Sequence, residues 1–299
     1  MIHEAAEAGA DYVKIQGLRS SELVYRERFE SGRVGPNGDV LTIKRPFAAE
    51  VDRLSRLDLT DDDEKWFVSE CARAGVKSMI TAFTLGSVSR FAAAGFSALK
   101  IASYDCKSEA LLQEARAFSD IVVSTGASFN DEISRAAKIL SGTDAAFLHC
   151  VTIYPTPLNQ LHLQRMSWLR SFSKRVGFSD HTAINTTALR ASKLAIVLGA
   201  DIVERHFTAL PTDATRDGPV SINQKQLRQL RRFSELPIED QRAELSHEWP
   251  EWESGLGETK RDLSPAEMLN RDYYSGRVAS WQNGVQIGSD GLQTETRSN

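Results

Sequence analysis

Two histidines follow short apolar segments in the last third of the sequence. His181 ends RVGFSDH at residues 175–181, and His206 lies in DIVERHF at residues 201–207. Imidazole is the commonest protein ligand for borderline divalent metals and titrates near neutral pH. Two histidines at equivalent strand ends therefore predict a metal site. Two nitrogen ligands leave positions open for water and substrate, as a catalytic metal site requires. With the lysines and hydroxyl groups described below, Mn²⁺ or Mg²⁺ fits better than a closed zinc site.

Two lysines lie inside otherwise apolar segments. Lys14 and Gln16 share one face of DYVKIQ, and Lys100 interrupts ALKIAS in the same way. A lysine within a buried strand is rare unless an opposite charge or a ligand accompanies it. The two lysines therefore predict a site for a phosphate or a carboxylate.

Hydroxyl groups stand at comparable strand ends. Thr81 and Ser124 close two further apolar segments, and Ser103 follows the strand that carries Lys100. Beside lysines, these hydroxyls are typical phosphate donors. Tyr154, in the proline-stiffened loop IYPTP, is positioned to reach over a ligand.

Strand periodicity sorts the residues around the histidines. Side chains two apart share a face, so Ser179 accompanies His181 and Glu204 accompanies His206. Asp180 points to the opposite face. We interpret His149 and Cys150 as core residues or as residues behind the site.

The elements that position these residues alternate between strands and helices. Such repetition favours an α/β fold with a parallel sheet and crossover helices, and the near-continuous apolar strands indicate burial on both faces. Strands are predicted at 11–16, 77–83, 98–103, 120–126, 145–151, 175–181 and 201–207. Helices are predicted near 61–74, 86–94, 107–117, 130–141, 160–172, 185–198 and 223–235.

This alternation predicts a (β/α)₈ TIM barrel, in which catalytic residues lie at the carboxyl ends of the strands. Only seven strands are counted, and residues 2–10 read as the second half of a helix. We therefore expect a barrel that lacks its first strand. The barrel domain is assigned to residues 1–237, with residues 17–60 as a polar loop inserted over the barrel opening.

Residues 238–299 are predicted to form a short irregular C-terminal extension. A hairpin turning at Asn283–Gly284 is expected within it, followed by a disordered end of about ten residues.

Composition excludes several classes of function. The net charge of −4 argues against a nucleic-acid or anionic-membrane partner. The sequence contains neither a signal-peptide pattern nor an apolar segment near the ~20 residues that a membrane span needs. Three widely spaced cysteines give no disulfide or zinc pattern, which favours the cytoplasm.

Taken together and in order, several motifs resemble the N-acetylneuraminate (sialic acid) synthase family over about residues 4–235. They are AGADYVKIQ, LKIASYDC, VVSTG, LHCVTIYPTP, VGFSDHT and GADIVERHFT. The resemblance implies a cytoplasmic, homodimeric barrel enzyme, a transferase that forms a carbon–carbon bond. Phosphoenolpyruvate would condense with an N-acetylhexosamine such as N-acetylmannosamine, giving a nine-carbon 2-keto sugar acid and phosphate.

The resemblance also implies roles for individual residues. His181 and His206 would ligate the divalent metal. Gln16, Tyr154 and Asp217 would face the sugar, and Thr152 occupies a position that is often Asn or Ser in the family. The expected contacts to phosphoenolpyruvate are Lys14, Thr81, Lys100, Ser103, Ser124 and Ser179.

The sequence departs from the family pattern in three places. The glutamate of the family's first strand is absent, and TPF is replaced by TAF at Ala82. The antifreeze-like domain, whose arginine reaches the partner subunit's sugar site, is also not found. Arg277 in the extension is a candidate substitute for that arginine.

Two alternatives to the synthase activity remain open. The first, favoured by the departures from the family pattern, is a truncated, catalytically impaired or binding-only relative. The second is a Schiff-base aldolase that uses Lys14 or Lys100, although such a mechanism gives the two histidines no role.

Overall fold

The computed structural model describes residues 1–294, and most of the chain forms an α/β fold around one curled parallel sheet. All seven predicted strands are confirmed, and a two-residue strand follows them. In chain order the strands are β1 (Tyr12–Gln16), β2 (Arg33–Val34), β3 (Val40–Thr42), β4 (Lys77–Ala82), β5 (Ala98–Ile101), β6 (Ile121–Ser124), β7 (Ala146–Cys150), β8 (Val176–Asp180), β9 (Ile202–Phe207), β10 (Ser221–Ile222), β11 (Ala279–Gln282) and β12 (Val285–Gly288).

Helices connect the strands and cover the outer face of the sheet. They are α1 (Ile2–Glu7), α2 (Arg28–Ser31), α3 (Phe47–Ser55), α4 (Asp61–Arg73), α5 (Ser87–Ala94), α6 (Glu109–Ala115), α7 (Asn130–Ile139), α8 (Arg165–Leu169), α9 (Ile184–Thr187), α10 (Arg190–Val197), α11 (Gln224–Ser234), α12 (Ile238–Glu248) and α13 (Pro265–Tyr274). Short 3₁₀ segments lie at Ser20–Glu22, Ser103–Asp105, Leu158–Gln160, Gly218–Val220 and Trp252–Gly255.

The main sheet has the strand order β1-β4-β5-β6-β7-β8-β9-β10, and every neighbouring pair is parallel. Lys14 on the first strand reaches Glu204 on the seventh, with 3.6 Å between Nζ and Oε1. The sheet therefore curls until these strands face each other. Within the described part of the chain, strands β1 and β10 are the two edges of this sheet, and they do not pair with each other.

Alternation along the strands separates two cores. Outward side chains such as Ile80, Leu99 and Phe178 pack against the helices in the larger apolar cluster. Inward side chains are apolar at the amino-terminal end of the strands and polar toward the other end. The apolar inner layer contains Met79, Ala98, Val122, Ala146 and Leu148, flanked by Tyr12 and Ile202.

Two predicted helices are shorter or interrupted. The helix expected at 185–198 is split because Ala188 adopts a φ of +50°, which ends α9 before α10 begins. Only Arg165–Leu169 of the helix expected at 160–172 is α-helical. His162 has a φ of +50° and its Nδ1 accepts a hydrogen bond from the Glu258 amide at 3.1 Å, so this segment bends to contact the extension.

The expectation of a loop at 17–60 and of an irregular extension was wrong in part. The inserted segment contains the β2–β3 hairpin and two helices, and the extension contains α12, α13 and a second hairpin. The two segments stabilise each other. Arg26 donates to the carbonyl oxygens of Tyr273 at 2.5 Å and Ser275 at 3.0 Å, and Leu23 pairs with Val278.

The extension also packs on the sheet domain. Lys193 on α10 donates to Glu244 and Glu248 on α12 at 2.8 and 2.6 Å. Strands β11 and β12 turn at Asn283–Gly284, where both residues have positive φ, as a two-residue hairpin requires. Of the end expected to be disordered, residues up to 294 pair back onto this hairpin, and residues 295–299 lie outside the described residues.

Through residue 294, no helix is both long enough and apolar enough to cross a membrane. Cys71, Cys106 and Cys150 are all buried thiols without a disulfide partner.

A buried carboxyl joins the C-terminal hairpin to the sheet domain. Asp105 accepts hydrogen bonds from Ser289 at 2.9 Å and from Ser108 at 3.4 Å. Burial raises the pKa of Asp105 to about 7, although the hydrogen bonds from Ser289 and Ser108 oppose the rise. Between about pH 4 and pH 7 the folded protein therefore holds a proton that the unfolded chain has released.

We expect this carboxyl to make stability fall as the pH rises from about 4 to 7. The wild type should lose about 2–3 kcal/mol of unfolding free energy between pH 5 and pH 8 that Asp105→Asn retains. Urea unfolding at both pH values measures the difference. Asp290→Asn, on the same hairpin but exposed, should follow the wild type, and an identical pH profile for Asp105→Asn would contradict the prediction.

Candidate active site

The polar end of the sheet interior contains a three-residue ion cluster. Glu204 on β9 lies between Lys100 on β5, which donates to Oε2, and Lys14 on β1, whose Nζ is 3.6 Å from Oε1. Lys14 also donates to Thr81 Oγ1 at 3.1 Å. The side chains of these residues all point into the interior of the curled sheet. Side chains two positions apart on a strand share a face, and the parallel registers align the corresponding positions of neighbouring strands.

The charges within this cluster control its protonation. Burial would raise the pKa of Glu204, but the positive charges of Lys100 and Lys14 lower it below its ordinary value. Burial lowers the pKa of Lys14, with Glu204 opposing this effect and Lys100 adding to it. Two amino groups share one carboxylate, so a charged cluster of this composition carries a net positive charge. Such a cluster suits an anionic ligand.

The two histidines face each other one layer above this cluster. The ring centroids of His181 and His206 lie 5.4 Å apart. Burial, with His206 adding to the effect, lowers the pKa of His181 to about 3. Burial also lowers the pKa of His206, although Asp217 opposes it with Oδ2 at 3.8 Å from Nδ1. Both imidazoles are therefore neutral at pH 7 and retain a nitrogen lone pair.

Aromatic and thiol groups orient His181. The ring of Tyr154 lies 4.2 Å from the imidazole, centroid to centroid. The Sγ of Cys150 is 3.6 Å from Nδ1. The interpretation of Cys150 as a residue behind the site therefore agrees with its position. His149 belongs to the core, where Nε2 lies 2.6 Å from the Leu161 carbonyl oxygen.

A buried ion pair on the opposite face holds the two histidine-bearing strands together. Asp180 and Arg205 are register partners, 2.6 Å apart and almost fully buried. Ser192 donates to Asp180 at 2.5 Å and the Thr182 amide at 2.8 Å. Burial raises the pKa of Asp180, but Arg205 and these hydrogen bonds lower it below the ordinary value. Each partner of the pair directly precedes one of the two histidines.

The remaining predicted site residues lie at the same end of the sheet, with weaker connections. Gln16 is exposed at the end of β1, whereas Ser103 and Ser179 are buried. The hydroxyl oxygen of Ser124 is buried and makes no hydrogen bond with the described residues, whereas Thr152 interacts with the hydroxyl of Tyr104. A buried hydroxyl with free hydrogen-bonding capacity suits a polar ligand.

One further residue at this end was not predicted. Tyr104 directly follows Ser103, and its buried hydroxyl interacts with the side chain of Thr152. Its ring stacks on Tyr274 of α13 with a centroid distance of 4.6 Å. The position next to Ser103 was the available sequence signal, but only the packing of α13 shows that the ring borders the site.

Helix α13 covers part of the opening. Asn270 donates to the Thr152 carbonyl oxygen at 2.7 Å, and Arg271 donates to the Ala127 carbonyl oxygen at 2.6 Å. These carbonyl groups belong to the loops after β7 and β6. The C-terminal extension therefore forms one wall of the candidate site.

Comparisons with known proteins agree with this arrangement. The family model described as the NeuB family matches residues 1–236. A N,N'-diacetyllegionaminic acid synthase of Campylobacter jejuni is 27% identical over 237 residues, covering 77% of this chain and 68% of that protein. An N-acetylneuraminate-9-phosphate synthase of Drosophila melanogaster is 30% identical over 180 residues, covering 58% of this chain and 47% of that protein.

A solved structure has the same fold. The N-acetylneuraminic acid synthetase of Leptospira borgpetersenii superposes with a TM-score of 0.65 at 24% identity, covering 91% of this chain and 84% of that one. The first four curated relatives are matched over 58–68% of their own lengths.

Breaking the buried ion pair should destabilise the protein. Arg205→Met leaves the Asp180 carboxylate buried without its partner, which should reduce the unfolding free energy by about 3–5 kcal/mol. Urea unfolding measures the loss. The exposed pair Arg56–Asp52 provides the control, because Arg56→Met should cost far less. The double variant Asp180→Asn/Arg205→Met should recover part of the loss, and a single variant as stable as the wild type would refute the role of the pair.

Proposed function

Because this chain belongs to the NeuB family, we propose that it is a synthase that condenses phosphoenolpyruvate with an N-acetylated amino sugar such as N-acetylmannosamine. The product would be a nine-carbon 2-keto sugar acid of the sialic acid type, with release of phosphate. The observation that carries the proposal is the Lys14–Glu204–Lys100 cluster directly below the facing pair His181 and His206.

The lysines would hold the anionic cosubstrate. Phosphoenolpyruvate carries a phosphate and a carboxylate, and Lys14 and Lys100 offer ammonium donors for them. Glu204 compensates part of the lysine charge when the site is empty. The hydroxyl of Ser124 has free hydrogen-bonding capacity for the same ligand. Most of the catalysis assigned to these groups is orientation and charge stabilisation.

The reaction follows from this orientation. The enol carbon attacks the aldehyde carbon of the open-chain sugar, and water adds to the cationic carbon left behind. The resulting tetrahedral intermediate then expels phosphate. Tyr154 contacts His181 and Asp217 lies beside His206, which supports their assignment to the sugar, and Gln16 is exposed at the same end of the sheet.

The histidine pair fits a divalent ion with an open coordination shell. Through residue 294 no three His, Cys, Asp or Glu side chains group closely enough to form a complete ligand set. His181 and His206 are neutral imidazoles, with the Asp217 carboxylate beside them, which suits Mn²⁺ or Mg²⁺ completed by water and substrate oxygens. When bound there, the ion supplies Lewis-acid polarisation of the sugar carbonyl.

The closure of the sheet into a barrel is also a proposal. We infer a (β/α)₈-type barrel with one strand position open between β1 and the edge formed by β9 and the two-residue strand β10. Tyr12 and Ile202 flank the apolar inner layer on the two sides of this opening and are only partly buried, which supports the assignment. Division into a domain at 1–237 and an extension at 238–299, a homodimer and a cytoplasmic location remain predictions.

Phosphate release provides the direct test. Incubating the full chain with phosphoenolpyruvate, N-acetylmannosamine and Mn²⁺ should release phosphate, and leaving out the sugar or adding a chelator should abolish the release. No release from folded protein with any N-acetylhexosamine would favour the binding-only alternative. Lysine trapping by borohydride with pyruvate, together with insensitivity to chelators, would favour the aldolase.

Removing either imidazole tests the metal assignment. His181→Ala and His206→Ala should each lower kcat at least 100-fold and abolish Mn²⁺ binding measured by electron paramagnetic resonance. The change removes one of only two nitrogen ligands and leaves the helices of the fold intact. The exposed His247→Ala serves as the control. Unchanged Mn²⁺ affinity in either active-site variant would contradict the assignment.

A further inference from the structure

Four arginines surround a single carboxylate beside the proposed site. Arg277 and Arg53 lie 3.0 and 2.9 Å from Glu50 Oε2, whereas Arg216 and Arg45 lie 3.8 and 3.9 Å from Oε1. We call these five residues the Glu50 cluster. Among residues 1–294, Glu50 is the only carboxylate within 4.0 Å of any of these four guanidinium groups.

The Glu50 cluster has an excess of positive charge in a partly buried place. Glu50 and Arg277 are each 13% exposed, and Arg45 is 23% exposed. Burial would raise the pKa of Glu50, but the hydrogen bond from Arg53 and the charges of Arg277 and Arg45 lower it. Glu50 is therefore ionised and balances one of the four guanidinium charges, while Arg45 and Arg277 also lie over tyrosine rings of α13.

Two donors in the cluster also lack acceptors. Arg45 Nη1 and Arg277 Nε are buried and make no hydrogen bond. A buried guanidinium nitrogen without an acceptor is costly because it has lost water without gaining a partner. The excess charge and the unsatisfied donors both suit an anionic ligand.

Two connections place the Glu50 cluster at the rim of the site. Arg216 directly precedes Asp217, whose carboxylate lies 3.8 Å from His206. On the other side, Tyr273 donates to Glu50 at 3.5 Å, and the next residue, Tyr274, stacks on Tyr104. An acceptor whose carbonyl lies near His206 would extend its far end toward these arginines.

We propose that the Glu50 cluster binds a phosphate ester at the end of the acceptor sugar remote from the reacting carbonyl, an inference that rests on the proposed condensation. A phosphomonoester carries nearly two negative charges at neutral pH and offers three acceptor oxygens. It matches an excess of several guanidinium charges better than a single carboxylate does, and guanidinium forks bind phosphate oxygens in pairs.

Direct binding tests this inference without relying on turnover. Isothermal titration of the full chain with N-acetylmannosamine 6-phosphate and with N-acetylmannosamine, both with Mg²⁺, gives two dissociation constants. The phosphorylated sugar should bind at least 10-fold more tightly. Arg216→Gln and Arg277→Gln should each reduce this preference below 3-fold, whereas Arg56→Gln, at an exposed position directly after α3, should retain it.

Glu50→Gln tests the inference with a change that should strengthen binding of the sugar phosphate. Removing the competing carboxylate should strengthen binding of the phosphorylated sugar several-fold, and a merely structural role for Glu50 would not produce that gain. Thermal unfolding of each variant shows whether it is folded. Arg216 is 46% exposed, so its variant stays informative even if Arg277→Gln is unstable.

Three results would overturn the inference. These are equal affinities for the two sugars, a preference that persists in Arg216→Gln, or a loss of phosphoenolpyruvate affinity in Arg216→Gln that equals the loss for the sugar phosphate. The last result would assign the Glu50 cluster to the cosubstrate. A phosphate preference without phosphate release from phosphoenolpyruvate would support this inference and count against the proposed synthase activity.

Discussion

The position of Glu204 between Lys14 and Lys100 is the interaction on which the sheet interior depends. Two amino groups in the middle of a curled sheet would be strongly unfavourable without a counter-charge. The carboxylate comes from the strand that the curl brings opposite β1. The curl of the sheet is therefore what brings a carboxylate to the two amino groups. The same arrangement creates a positively charged floor below the histidines.

A second interaction, on the outer face of strands β8 and β9, fixes how these two strands pack. Asp180 and Arg205 form a buried pair in register, and each precedes a histidine. Strand alternation then places both imidazoles on the inner face. Gly177 permits the close approach of β9, because a side chain there would meet the Ile202 carbonyl oxygen at 2.0 Å. The distance between the imidazoles thus follows from strand packing, which is far more rigid than loop packing.

The opening of the sheet is built from other parts of the chain. Segments 17–60 and 238–294 contact each other and contribute Glu50, Arg45, Arg277 and Tyr274 to its rim. The lysines and histidines of the candidate site lie on the strands or directly after them, whereas the Glu50 cluster, apart from Arg216, lies on these two segments.

The sequence by itself determined the seven strands and the inward face of each, because apolar alternation with a period of two is a local property. It also indicated which end of the sheet holds the polar residues. Local patterns could not place Glu204 between two lysines, since those residues are up to 190 positions apart. The split of helix 185–198 depended on the backbone of Ala188 alone. The contact between Arg277 and Glu50 and the stacking of Tyr274 on Tyr104 were decided only by tertiary structure, because polar segments without periodicity acquire their positions from the surfaces they pack against.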